Sequence, residues 1–145
     1  MSDFSWDKIP AKVVAGANPA AGATSAVSYT VPATARTRFG VVTGVLVTSA
    51  GGGNRTVRLT VSDGTNVFWT RDSPSVQAGS LTYKYVTGPG VDDATVDANL
   101  QVKIAWPPEL NEMPAASVVS IAIISGGEAT DDWASPKSVV WEAPA

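Results

Sequence analysis

The sequence predicts an all-β chain, a single antiparallel β-sandwich or jelly roll of about eight strands with an extended N-terminal arm. Three observations predict it. Val far outnumbers Leu and Thr is abundant, the composition of a pleated, half-buried surface. The apolar runs are short and are divided by Gly, Pro, Asp and Asn. Several of those runs alternate apolar with polar residues, and none holds a helical period.

At 145 residues, with 44% hydrophobic and 16% charged residues, the chain has the size and composition of one folded domain. Residues 1–22 read as the arm, in which Phe4, Trp6 and Ile9 are spaced apolar anchors ahead of the Gly/Ala/Pro stretch 15–22. Such an arm either lies on a neighbour or serves as a first strand or strap closing the domain's own sheet edge. Residues 23–145 read as the sandwich.

Its first strand is expected over 23–31. The run 39–49 is apolar on both faces, as for a strand covered on both sides. In 55–62, Val57, Leu59 and Val61 share one face and Thr56, Arg58, Thr60 and Ser62 the other, which is a half-buried strand. The Ala50-Gly51-Gly52-Gly53-Asn54 segment reads as a hairpin turn. It is not a phosphate cradle, because a strand follows it and no helix does. Asp63-Gly64-Thr65-Asn66 is a second hairpin signal before Val67–Thr70, so 39–70 is expected to be a three-stranded meander. Further strands are expected over 81–86, over 96–106 until Pro107-Pro108 stops it, over 117–125 as the most apolar and central run, and over 137–142.

The chain has no Cys and no His, which removes thiol nucleophiles, imidazole bases, disulfides and the common zinc sites. No cofactor and no enzymatic activity are expected. The formal charge is −3, from 10 Lys+Arg and 13 Asp+Glu, so neither nucleic acid nor an anionic membrane is an expected partner. No apolar run reaches the roughly 20 residues that cross a bilayer, and the N-terminus has no basic-then-apolar export pattern. The acidic groups Asp92-Asp93 with Asp97, Glu109 with Glu112, and Glu128 with Asp131-Asp132 lack calcium-loop spacing and read as solvated loop charge. Residues 1–72 hold seven basic and four acidic residues, against three and nine in 73–145, so the halves attract if each forms a patch. Among the aromatics Trp69, Tyr83, Tyr85, Trp106, Trp133 and Trp141, some are core or contact positions. Trp69, Trp106 and Trp133 are the candidates for exposed contacts, or for a stacking platform under a sugar ring.

The stretch Gly53–Gly64, with Val67-Phe68-Trp69 after it, Gln77–Tyr83 later, and Asp131–Pro136 before Val139–Glu142, resembles small structural proteins of tailed bacteriophages and prophages. The resemblance covers about residues 36–142. In many such proteins a Leu-Pro-Pro-Gly-type turn precedes the next strand, where this chain has Trp106-Pro107-Pro108-Glu109-Leu110. The resemblance implies a virion component, a capsid decoration or cement protein on the outer capsid surface. Such a protein binds the major capsid protein as a homo-oligomer, with a trimer ahead of a dimer, and braces neighbouring capsomers. A tail or baseplate component and a carbohydrate-binding module are the competing assignments. Under the first reading Phe4, Trp6 and Ile9 would anchor the arm to a partner.

Overall fold

The computed structural model describes residues 5–17, 19–22 and 25–145. After a 3-10 turn at Trp6–Lys8 come ten strands among the described residues: β1 (Lys12–Ala15), β2 (Ala26–Thr30), β3 (Ala35–Val47), β4 (Thr56–Ser62), β5 (Val67–Asp72), β6 (Thr82–Thr87), β7 (Gln101–Lys103), β8 (Glu112–Met113), β9 (Val118–Ser125) and β10 (Asp132–Pro144). One sheet has the order β1-β10-β3-β6-β7, with β8 also on β3; the other has the order β2-β9-β4-β5.

The alternation seen in the sequence sets which face is buried. Val57, Leu59 and Val61 of β4, Val119, Ile121 and Ile123 of β9, and Val27 and Tyr29 of β2 form one inner face. Phe39, Val42 and Leu46 of β3, Tyr83 and Tyr85 of β6, and Trp133 and Val140 of β10 form the other. The two faces share one apolar core. The inward set of β3 changes parity because Gly40 is an extra residue, Val139 of β10 pairing with Val41 and Val140 with Phe39. Pro136 lies in a second register shift, between Ala134 and Lys137, where a missing N–H disturbs no ladder.

Two expectations are corrected. First, 39–70 is not a meander: β4 and β5 form the expected hairpin, but β3 lies in the opposite sheet, so residues 48–55 cross between sheets. Second, the run 96–106 yields only the short β7, which pairs parallel with β6, so the sandwich is not wholly antiparallel. Asp97 breaks that run, because its Oδ1 accepts the N–H groups of Asn99 and Gln101 and folds the chain into a turn in which Leu100 takes a φ of 58°. Of the two readings of the arm, the strand on the domain's own sheet edge is the one observed: the arm contains β1, paired to β10, whose alternation is too short to be read alone but is fixed by a partner far along the chain. Central placement of 117–125 holds, since β9 lies between β2 and β4.

The 48–55 crossing is organised by a buried charge. Arg55 and Asp131 are both almost wholly inaccessible. The guanidinium grips the carboxylate at two points, Nε to Oδ2 and Nη2 to Oδ1, each at 2.9 Å. It also donates to the carbonyls of Ser49, Gly51 and Gly53 at 3.1, 2.8 and 3.0 Å. Asp131 in turn accepts the N–H groups of Ser49 and Glu128. Asp131 is thus corrected from a solvated loop charge to a buried structural one. Gly126, at a φ of 74°, lets the 126–131 loop touch the crossing, since a Cβ there would lie 1.9 Å from the Asn54 carbonyl oxygen. Tyr85 extends the network by donating to Gln77 Oε1 at 2.6 Å, and the Gln77 backbone pairs with Arg55.

Burial alone would raise the Asp131 carboxyl, but Arg55, the two loop N–H groups and the Ser49 hydroxyl outweigh it and hold it at about 2, from an ordinary 3.8. The folded-state value is therefore the lower one, and the pair's contribution is complete above pH 4 and lost as the pH falls toward 2. Asp131→Asn should lower stability by about 3–5 kcal/mol in urea denaturation at pH 7, by stranding the buried guanidinium. The gap between variant and wild type should shrink between pH 4 and pH 2; an unchanged gap would show that the carboxylate charge is not what stabilises the loops.

Candidate docking surface

Half-buried Val14 of the arm's strand β1 packs against the core, and Lys12 forms an ion pair with Glu142 of β10, whose other oxygen accepts the Tyr29 hydroxyl of β2 at 2.6 Å. Burial, then the Glu142 carboxylate, pushes the Tyr29 hydroxyl up to about 12. Beyond β1 the arm crosses to the other sheet, where Ala17 exchanges both backbone hydrogen bonds with Ser28 of β2. This crossing needs glycine at 16, where a Cβ would fall 2.3 Å from the Ser28 carbonyl oxygen. The arm is therefore a strap that closes one side of its own sandwich.

Of the expected anchors, Trp6 and Ile9 are half-buried on the chain itself. Trp6 donates its indole N–H to Glu112 at 3.1 Å, and the Arg36 guanidinium lies 5.6 Å from its ring centre. Phe4 lies outside the described residues. Trp6 and Ile9 form one wall of a groove of about 360 Å³, whose floor is Gly40 and Trp141, with Arg38, Asp7 and Asn111 at its polar margin. Gly40 makes room for the indole, since a Cβ there would meet the Trp141 ring at 3.0 Å.

Two of the three expected exposed tryptophans are corrected. Trp133 is 1% and Trp106 4% exposed. Trp133 packs against Tyr85 and donates to the Ser25 carbonyl; Trp106 packs against Phe39 and donates to the Leu110 carbonyl. Alternation put them on the correct face of their segments, but which face is inward depends on the opposite sheet. Trp69 is half-buried and donates to the Ala105 carbonyl at 3.3 Å. The half-buried aromatic that borders open space is Trp141, with Trp6 beside it.

The groove lies at one end of the larger sheet's outer face. There Val41, Thr43, Val45 and Val47 follow one another along β3. Val41 is paired to Val139 of β10, Thr43 to Lys137 of β10 and Val86 of β6, Val45 to Ala134 and Lys84, and Val47 to Asp132 and Thr82, so the valines form a row along β3 with polar residues on both flanks. Most of these valines are half-buried and Val47 is exposed. The smaller sheet's outer face carries more hydroxyls, Ser28, Thr30, Thr60, Ser62, Ser120 and Thr70, with Arg58 paired to Asp72; its apolar members are Val118, Ala122, and the exposed Ile124 and Phe68. An outer face normally carries polar residues, so the valine ladder is the departure that points to a contact.

The expected attraction between chain halves is spent inside the molecule. Arg36–Glu112, Arg55–Asp131, Arg71–Asp93 and Lys12–Glu142 each join a base of the first half to an acid of the second. Among the described residues no group of three or more acidic side chains is placed to hold a metal ion, and no helix is long and apolar enough to cross a membrane. No protein-family model matches the chain, and comparison with curated proteins gives no match.

Gly16→Ala should detach the strap without unfolding the sandwich. Amide hydrogen exchange at 12–17 should accelerate at least tenfold, while amides of β4 and β9 keep their protection; equal protection in both proteins would mean that the close approach to Ser28 is not needed.

Proposed function

We propose that the chain is a non-enzymatic virion structural protein, a capsid decoration protein that binds the outer head surface as a homo-oligomer, contacts the major capsid protein and stabilises capsomer contacts. The observation that carries this reading is the valine ladder on the outer face of the larger sheet, bordered by the arm. The strand orders β1-β10-β3-β6 and β2-β9-β4-β5 are those of a jelly roll, an architecture shared by viral capsid and lectin domains, and so support it. Covering one half-buried valine adds at most about 1.5–3 kcal/mol before ordering costs, so one copy holds weakly. An array of copies holds firmly, because each contact raises the effective concentration for the next. The arm's own docking fixes the rim of this face, and Trp6 and Ile9 act there by holding the arm in place.

On undecorated shells, the purified chain should bind in stoichiometric amounts and raise their resistance to heat. Val45→Glu should weaken binding at least about tenfold, because a carboxylate cannot be buried against an apolar partner without cost. Thr30→Glu, on the opposite outer face, should bind like wild type. Decoration by Val45→Glu at wild-type affinity would overturn the reading, and density on the tail instead of the head would favour a tail component.

One observation favours a carbohydrate-binding reading. The groove offers an indole floor with Arg38, Asp7 and Asn111 around it, and flat apolar ring plus polar rim is the chemistry that holds a pyranose. On an immobilised glycan panel, a sugar binder would show retention that Trp141→Ala abolishes; no retention by the wild type excludes it.

A further inference from the structure

Among the described residues, and apart from the two-residue β8 on β3, the two sheets end in four edge strands, and three of them are guarded. The edge of β2 is met by Ala17 of the strap, and that of β7 by Ala94, which bridges Lys103. The edge strand β1 is four residues long and carries Lys12, a charge of the kind that blunts an edge. The last, β5, is six residues long and has neither proline nor lysine. Its Val67 and Phe68 are 59% and 50% exposed. Among the described residues its backbone pairs with β4 alone, so one row of N–H and C=O groups faces outward. Water satisfies such a row, and past the bulge at Phe68 the regular stretch Trp69–Asp72 is a template for another strand.

We propose that β5 is a self-association edge, on which a second copy of this chain lays its own β5 antiparallel about a two-fold axis, joining two four-stranded sheets into one. The strand's own charges argue for a like partner. Arg71 is paired with Asp93 and Asp72 with Arg58, so the edge carries no excess charge to repel a copy of itself. In a continuous sheet the paired residues must share a face, so the axis passes through a residue. Centring on Arg71 or Asp72 would oppose like charges. Centring on Thr70 sets each Arg71 across from the partner's Trp69, a favourable cation–indole pair, and pairs all of Phe68–Asp72. An edge that pairs with itself closes as a dimer, in place of the trimer that the phage resemblance puts first. The inference sharpens the homo-oligomer of the proposed function, and it is measured on the purified chain without shells, so its failure leaves attachment to capsids untouched.

The chain's lack of cysteine makes the test clean. Sedimentation of the full chain should show a dimer. Phe68→Asp, which sets a carboxylate across from the partner's Asp72, should raise the dimer dissociation constant at least tenfold, with the circular dichroism spectrum unchanged. Thr70→Cys should oxidise readily to a disulfide-linked dimer, since Cα atoms opposed across an antiparallel pair are about 4.5–5.5 Å apart, within disulfide reach. Val76→Cys, 52% exposed but off the strand, is the control. A monomer or a trimer, a dimer indifferent to Phe68→Asp, or crosslinking no faster at Thr70→Cys than at Val76→Cys overturns the proposal.

Discussion

The rest of the structure depends on the Arg55–Asp131 pair. Two loops leave the sheets at the same end, 48–55 crossing from β3 to β4 and 126–131 linking β9 to β10, and each brings backbone groups that no strand can satisfy. A guanidinium bound to a carboxylate and three carbonyls, with the carboxylate bound to two N–H groups, answers most of that demand in one cluster. Buried pairs of this kind contribute little net stability over a well-packed apolar replacement. What this one supplies is uniqueness. Any other path of the Gly51-Gly52-Gly53 loop would leave either the cation or its carbonyl partners unmatched.

With that end fixed, the open sides of the sandwich must still be closed, and the chain does this twice. The strap closes the β1/β2 side through Ala17 and Ser28. On the other side, residues 93–106 run between β5 and β7, held by Asp93, which accepts the Ala105 N–H and pairs with Arg71, and by the Trp69 indole on Ala105. The glycines follow from this plan: Gly16 and Gly126 stand where one backbone passes another too closely for a Cβ. The strap also joins the early strand β1 to the late strand β10 in one sheet.

The sequence made legible what period and punctuation encode. The faces of β4, the Asp63–Asn66 hairpin, the central place of β9 and the all-β class are local properties of alternation and turn chemistry. It hid what depends on a distant partner. Nothing in Lys12-Val13-Val14-Ala15 distinguishes a strand from a linker until β10 lies beside it, and nothing in Arg55 separates it from the nine other basic residues until Asp131 is brought next to it. The tryptophans show the limit most clearly. Trp106 and Trp133 sit in alternating runs, as Trp141 does, and only the second sheet determines that the first two are buried while Trp141 lies at an open groove. The Ala50–Asn54 glycines read as a hairpin for the same reason, since a tight turn and a sheet-to-sheet crossing use the same flexible residues.

The two outer faces then separate structure from use. A half-buried strand needs polar residues outside only for solubility, and the smaller sheet's serines and threonines meet that need. The larger sheet's Val41, Val45, Val47, Val86 and Val139 do not, and no described segment of the chain is paired over them. Strand propensity alone favours Val and Thr equally well on such a surface, so what distinguishes the larger sheet is that its valines follow one another along the single strand β3, the row on which the proposed contact rests. The position of the groove agrees with this: it opens where the ladder ends, with Gly40 removing the side chain that would otherwise lift Trp141 away from β3. The outer face thus continues from Val41 through its pair Val139 to Trp141, so that under the proposed function the valine row and the groove belong to one contact area.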